Sequence, residues 1–530
     1  MIRLSNVKLS LNYSDNDIKN AVIKQLRIDN NAINSISLYR RSVDARHKND
    51  VHFIATLDVE LNTNENTAIS KAKNKNAVIC EKYRYDIPYK NDLNKRPVVV
   101  GFGPAGMFCA LILAQAGQKP IVIERGDKVE NRTKKVYSFW DGGTLDTNTN
   151  VQFGEGGAGT FSDGKLNTGT KDSRSRNVLN EFVSHGAPQE ILYNSKPHIG
   201  TDRLRDTVKN IREDIIKLGG EVRFNTQLIG IKYTNEKITH VVVKSNNKEE
   251  IIETDNVVLA IGHSARDTFE MLKNSGIYME QKPFSIGARI EHLRVDIDKT
   301  QYGNFAGHNK LGAADYKMNI KSKSGRGVYT FCMCPGGMVV AAQSEENTVV
   351  TNGMSDFARD SVNSNSALLV NVYPDDFLSD DVLSGVELQR QIERKAFICG
   401  GCDYRAPVQR VEDFLKNTNS TSFSDILPSY RPGTKFCKTD EYLPQFITDA
   451  MREGIVGMDR KLHGFSKADA IITGPETRSS SPVKIKRDDT LQSVTLKGLY
   501  PCGEGAGYAG GIISAAVDGM KCAEQILINA

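Results

Sequence analysis

The chain has 530 residues, 39% of them hydrophobic, with 69 basic and 64 acidic side chains for a net charge of +5. That length allows roughly two to four domains and a large core. The charge is too evenly balanced to argue for nucleic acid or an anionic membrane as partner. Nine cysteines, an odd number with scattered spacing, and an N-terminus without an apolar targeting segment point to free thiols in a reducing cytoplasm. The most apolar window, 98–117, holds four glycines and a proline, so no transmembrane segment is expected.

Residues 1–90 read as a small α+β domain. Ile2, Leu4, Val7, Leu9 and Leu11 alternate well enough for a strand over 2–12. Ser14-Asp15-Asn16-Asp17 is an N-cap cluster ahead of an amphipathic stretch at 18–26. Two strands are expected at 33–44 and 50–61, joined by a polar turn at 45–49, with a helix or loop at 68–77. The basic run Tyr39-Arg40-Arg41 with Arg46, His47 and Lys48 offers an RNA-facing strand, although such a run is more often a solvated face. Pro88, Asn91, Asp92, Asn94 and Pro97 make 85–97 a polar linker.

The chain then organises around Val98-Val99-Val100, a buried strand that runs into Gly101-Phe102-Gly103-Pro104-Ala105-Gly106. An apolar helix over 107–116 follows, Gly117 ends it, and Ile121-Val122-Ile123 makes a second strand. Glu124 closes that strand, 18 residues after Gly106. Strand, glycine turn, helix, strand and terminal acid in register mark a dinucleotide-binding unit. Gly101 permits the tight turn, Gly103 lets a pyrophosphate approach the backbone, and Gly106 lets the helix pack on the sheet. The helix N-terminus offers N–H groups and partial positive charge to the phosphates, and Glu124 is placed for a ribose diol.

A helix is expected over 131–139. Residues 150–166 form a second glycine-rich segment, in which Gly156-Gly157-Ala158-Gly159-Thr160 is interleaved with Val151, Phe153, Phe161 and Leu166. The apolar residues argue for a loop lining a cofactor over a solvated one. A helix at 202–218 precedes a three-stranded antiparallel excursion at 221–228, 238–243 and 251–252. Residues 257–262 return as a buried parallel strand ending in Gly262, and 263–268 cap a helix at 269–275. From 276 to 408 the pattern is mostly antiparallel. Strands are expected at 285–291, 328–333, 338–342 and 368–372, with Cys334-Pro335-Gly336-Gly337 as a hairpin turn. Helices follow at 387–397, 411–417 and 441–454. The third glycine segment, 498–514, ends a short strand in Gly503-Glu504-Gly505 and starts a helix near Gly510-Gly511-Ile512.

These three segments, in this order, resemble the two-dinucleotide-binding-domain flavoproteins of the glutathione reductase-like superfamily. More narrowly, the 153–161, 334–337 and 503–512 segments are similar to a group of large bacterial FAD-dependent dehydrogenases without an assigned substrate. The resemblance covers the whole chain. It implies FAD held by Gly101, Gly103, Pro104, Ala105, Gly106, Glu124 and Arg125. It places Gly156, Gly157, Ala158, Gly159 and Thr160 near the isoalloxazine or pyrophosphate. Gly262 ends the family's second strand, with Ile261 in the place of threonine. Gly503, Glu504, Gly505, Gly510, Gly511 and Ile512 fall where the ribityl phosphate and flavin edge are held.

The fold class is therefore α/β: a Rossmann-like FAD-binding domain at 95–275 and 409–530, an inserted antiparallel β-rich substrate domain at 276–408, and the small N-terminal α+β domain. No second GxGxxG follows a strand, so NAD(P)H is expected as a transient visitor, if electrons do not come from a carrier protein or the substrate. The expected activity is hydride transfer between an organic small molecule and flavin N5. A flavin monooxygenase and an RNA-docking flavoprotein are the rival readings. Catalytic acid–base residues stay open among His263, His292, His308 and Arg289. Arg478 is a substrate-carboxylate clamp or a loop residue bonding its own turn. Cys332-Met333-Cys334 is a CxC on a strand end. Cys399-Gly400-Gly401-Cys402 is a CxxC read as structural thiols, and no metal site is expected.

Overall fold

Short, unbroken runs of β-branched residues form the centre of the computed structural model, which describes residues 1–88 and 92–529. Asn91 of the expected linker lies outside them. Leu499–Pro501, Val257–Leu259, Val98–Val100, Ile121–Ile123 and Glu221–Arg223 lie side by side in that order, every pair parallel. The first four strands are buried on both faces, which is why their sequences are continuous and not alternating. Val99, Val122 and Val258 face a layer of helices, which includes Pro104–Gln115, Thr201–Lys217 and Ile512–Ile528. Val98, Val100, Val257 and Leu259 face the opposite way, toward an antiparallel three-stranded sheet. Residues 105–114 of the central helix are all buried. Each large apolar side chain there contributes about 1.5–3 kcal/mol.

The antiparallel excursion consists of Thr226–Thr234, Lys237–Ser245 and Lys248–Glu253. The expected 221–228 strand is two elements. Glu221–Arg223 closes the edge of the parallel sheet, and Asn225, at φ 51°, turns the chain into the second sheet.

A seven-stranded sheet stands beside this unit, in the order Asn319–Lys321, Gly327–Cys334, Asn363–Val372, Phe284–Leu293, Ile471–Glu476, Ala406–Arg410, Thr434–Phe436. Two expectations change here. The FAD unit does not resume at 409, because the strands at 406–410, 434–436 and 471–476 all belong to this sheet. We propose instead that the β-rich unit runs to about 480. The segment Cys334-Pro335-Gly336-Gly337 is also not a hairpin turn. Gly327–Cys334 pairs with Asn363–Val372, while Met338–Ala341 pairs with Thr351–Met354. A register is closed only by a partner strand, and for Gly327–Cys334 that partner is Asn363–Val372 and not the next strand along the chain.

The N-terminal sheet has the order Ile33–Asp44, His52–Leu61, Ile2–Leu9, Ala77–Ile79. Helix Asp15–Leu26 starts on a Ser14–Asp17 capping box. Part of the basic run is tied into the fold. The Arg41 guanidinium donates to Tyr13 Oη and Asn194 Oδ1, each at 2.9 Å. Its backbone bridges to Tyr193 and Ser195. Arg46 pairs with Asp44, Lys48 donates to the Gln301 carbonyl, and Arg3 lies over the Tyr39 ring. Among the described residues no helix is long and apolar enough to cross a membrane.

Candidate active site

One cleft of about 450 Å³ runs from the ends of the parallel strands to the seven-stranded sheet. Its near wall is backbone. Gly101, Gly103, Pro104 and Ala105 line it from the first glycine turn, and Gly157, Ala158 and Gly159 from the second. Gly262 and Glu504 line it with Gly510, Gly511 and Ile512. Helices Pro104–Gln115 and Ile512–Ile528 both begin at a glycine with no side-chain cap. Two helix N-termini with unsatisfied N–H groups and partial positive charge therefore meet at one opening.

Five residues expected at this wall stand behind it. A side chain at Gly106 would sit 1.9 Å from the Gly101 carbonyl oxygen, and one at Gly505 would sit 2.0 Å from that of Ile261. Gly156 donates to the Phe102 carbonyl and Gly503 to Asp518 Oδ2. Buried Thr160 donates to the Glu155 carbonyl. These residues let the turns nest closely and do not face the opening.

Glu124 is at the cleft but ties both glycine turns together. Its Oε2 accepts from Phe102 N at 2.9 Å. Its Oε1 accepts from Gly126 N at 2.9 Å and Gly154 N at 3.0 Å. One acceptor position remains on Oε2, enough for one hydroxyl. Arg125 lies over the Phe153 ring at 4.4 Å and pairs with Asp267 at 2.8 Å. It forms a flat cationic edge beside Glu124.

At the inner end, His263 Nδ1 stands 3.2 Å from Glu504 Oε1. His263 Nε2 is buried without a hydrogen-bond partner among the described residues, and both side chains line the cleft. The other histidine candidates lie elsewhere. His292 is buried with Nε2 on the Phe465 carbonyl, and His308 caps its own loop at Lys310 N.

The far wall is made of side chains from the seven-stranded sheet and the loops around it. Lys165, Asn167, Tyr316, Cys332, Asn352 and Glu476 line it. Lys165 Nζ lies 3.0 Å from Asp163, which Arg359 also holds at 2.8 and 2.5 Å. Burial pushes the Asp163 carboxyl up, but Lys165 and Arg359 outweigh it and hold it at about 2. Glu476 is chelated by Arg289, whose Nη1 reaches the Cys332 carbonyl at 2.8 Å. Burial still pushes the Glu476 carboxyl up to about 7, against the Arg289 charge.

Arg289 is thus a buried partner of Glu476 and not an acid–base group. Arg478 touches the cleft but is no free clamp. It is 2% exposed on its side chain and donates to Glu393 at 2.9 and 3.1 Å. Cys399 has its thiol contact with Cys437, in a group with Glu441 whose ligand atoms lie within 4.8 Å of one another. Cys402 is exposed. Sequence reasoning missed Tyr316, Asn352 and Glu476 as cleft residues, because nothing local distinguishes them, while Lys165 fell inside the 150–166 loop read as lining a cofactor without being singled out. Only the CxC spacing at Cys332 was a visible signal.

The residues present fit a flavin dinucleotide. Would-be side chains at Gly262, Gly510 and Gly511 meet nothing within 4 Å, and one at Gly103 meets only Gly157 Cα, at 3.6 Å. These four positions line the cleft, so their lack of a side chain leaves room for a ligand. An uncapped helix end at each side and the spare acceptor on Glu124 complete a cradle for phosphate and ribose.

Three family models match the chain: a domain of unknown function over 1–60, pyridine nucleotide-disulphide oxidoreductase over 95–278, and FAD-dependent protein, C-terminal domain-like, over 283–479. Among solved structures, a geranylgeranyl bacteriochlorophyll reductase-like protein of Thermoplasma acidophilum is 14% identical (82% of this chain, 79% of that one, TM-score 0.38). A flavoprotein/dehydrogenase of Cytophaga hutchinsonii is 11% identical (82% and 79%, TM-score 0.36). An "Uncharacterized protein" of Clostridium beijerinckii is 49% identical over 530 residues, covering 99% of this chain and 98% of its own. The chain belongs to the same family as that clostridial protein, and it is an FAD-dependent oxidoreductase.

Proposed function

We propose that the near wall holds FAD and that the far wall holds a small organic substrate, in a dehydrogenase or reductase of the cytoplasm. The convergence of two uncapped helix N-termini and three glycine edges on one cleft carries this reading. FAD supplies hydride chemistry at N5 when bound; the protein supplies orientation and electrostatics. Gly103, Pro104 and Ala105 would offer N–H groups and close backbone approach to the pyrophosphate. Glu124 would accept one ribose hydroxyl, and Arg125 would cover the adenine side. Gly157 to Gly159 and Gly510 to Ile512 would hold the flavin end.

His263 is the group best placed to hold a proton at the reacting end, with Nδ1 oriented by Glu504 and Nε2 left for a ligand. Lys165 presents a cation to the substrate space. Its own burial disfavours the charge, but Asp163 restores it. The described residues contain one parallel sheet of the dinucleotide-binding kind, so a pyridine nucleotide would visit the cleft without a domain of its own; a carrier protein would serve equally.

The test is the visible spectrum of the purified protein, then anaerobic titration with NADH and NADPH. Flavin bands are expected. Rapid bleaching would make a pyridine nucleotide the donor, and persistence would move the search to a carrier or to the substrate. A colourless protein that cannot be reconstituted with FAD would overturn the reading.

A further inference from the structure

The CxC on the far wall is unused by the function proposed above, and its geometry is unusual. The pairing of Gly327–Cys334 with Asn363–Val372 slips between Phe331 and Cys334. At the slip Cys332 takes φ 42°, in the left-handed region. A bulge of this kind re-aims a side chain that regular alternation would have placed elsewhere. Cys332 lines the cleft, while Cys334 is fully buried behind it. The Cys334 thiol donates to the Cys332 carbonyl at 3.3 Å.

The chain between the two sulfurs is short enough for a bond. Two residues fully extended span at most about 7 Å, and the left-handed kink at Cys332 shortens that toward the roughly 4.4–6.8 Å between Cα atoms that a disulfide requires. The surroundings favour a thiolate. Contact with the Cys334 thiol lowers the Cys332 pKa, and the Arg289 and Lys165 charges lower it further. The same contact, with burial, raises Cys334 well above the usual thiol range. An accessible thiol of low pKa backed by a buried partner is the arrangement of a redox pair. The other close cysteine pairs, Cys399 with Cys437 and Cys502 with Cys522, lie outside the cleft.

We propose that Cys332 and Cys334 are a two-electron redox pair that cycles between dithiol and disulfide against the bound flavin, with Cys332 as the thiol at the cleft. The inference rests on the cleft holding FAD, as proposed above. In the oxidising direction the two thiols lose two electrons and two protons, and an S–S bond forms. Oxidised FAD takes the two electrons and one proton, and the second proton leaves through the cleft. In the reverse direction the reduced flavin and a proton from the cleft cleave the S–S bond.

The test is an anaerobic dithionite titration of the air-oxidised holoenzyme, with alkylation and mass spectrometry of the peptide carrying both cysteines. The expected result is twice the dithionite per FAD that the flavin alone requires. The two cysteines should alkylate only after reduction. Cys332→Ser and Cys334→Ala should each keep the flavin bands and halve the dithionite, whereas Cys399→Ser should leave it doubled. Flavin bands with a single two-electron uptake, and both cysteines alkylated before reduction, would overturn the dithiol and leave the flavin reading standing. Absence of flavin bands would overturn that reading first.

Discussion

The two walls of the cleft are built in opposite ways. The near wall is backbone: glycines, helix ends and one carboxylate that binds three N–H groups. The far wall is charge: Arg289 on Glu476, and Lys165 and Arg359 on Asp163. Behind it, Glu393 accepts from Arg266, Arg478 and Thr477 in a hub with side-chain exposures of 0–2% for the charged groups. Each glycine edge of the backbone wall is shaped by residues near one another in sequence, although the wall joins edges from distant segments. A charged wall exists only once distant segments have met, and its buried ions are stable only as complete sets. The first wall should therefore respond to added volume and the second to lost charge.

The largest effect should come from the hub. Glu393→Ala leaves buried Arg478 without a carboxylate and Arg266 with Glu345 alone, at the joint between the two large units. About 3–5 kcal/mol of stability should be lost, read as a shift of the chemical denaturation midpoint of the holoprotein. A loss under about 1 kcal/mol would mean that water replaces the carboxylate and that the far wall is less dry than its burial implies.

Next comes a glycine behind the near wall. Gly106→Val would set a side chain 1.9 Å from the Gly101 carbonyl oxygen and 3.2 Å from Val99. The turn and helix must separate, at about 1–3 kcal/mol or more, and FAD should be lost together with stability.

A smaller effect should follow pH. Burial raises the Glu476 carboxyl to about 7, from an ordinary 4.5. The folded protein therefore binds a proton that the unfolded chain has released, and stability falls as pH rises between those values. The contribution is fully present below about 4.5 and lost as pH passes about 7. The slope approaches about 1.4 kcal/mol per pH unit at most. Glu476→Gln should flatten the melting temperature across that window, measured against buffers at constant ionic strength. An unchanged slope would assign it to another group, with Glu155, also raised to about 7 by burial, the first to test.

The contrast between the walls also explains what the sequence could show. Gly101 to Glu124 was legible because every part of that unit lies within one strand–helix–strand repeat, and the observed Val98–Val100, Pro104–Gln115 and Ile121–Ile123 follow it closely. The partner of Met338–Ala341 was not legible, because Thr351–Met354 carries no signal that distinguishes it from the nearer strand. Nor was the role of Arg478. An arginine beside a serine run reads the same whether it meets a substrate or, as here, a glutamate 85 residues away. Glu124 was legible as an acid at the right place but not as the tie between two glycine turns, since the second turn is 30 residues on.

The smallest effect on stability should accompany the most complete effect on cofactor. Gly262 lines the cleft, and a side chain built on it meets no atom within 4 Å. Its backbone needs no left-handed conformation, so a larger residue is unstrained there. Gly262→Val should leave the denaturation midpoint of the apoprotein within about 0.5 kcal/mol of the parent. The isopropyl group would occupy the space between the first and third glycine edges, so the purified variant should lack flavin bands and take up no added FAD. Gly106→Val would lose both properties and Gly262→Val only one. That difference separates a glycine that lets the fold close from a glycine that leaves room for a ligand. If Gly262→Val bound FAD normally, the ligand would lie away from the end of the Val257–Leu259 strand, and the near wall would have to be redrawn around Gly103 and Gly157 alone.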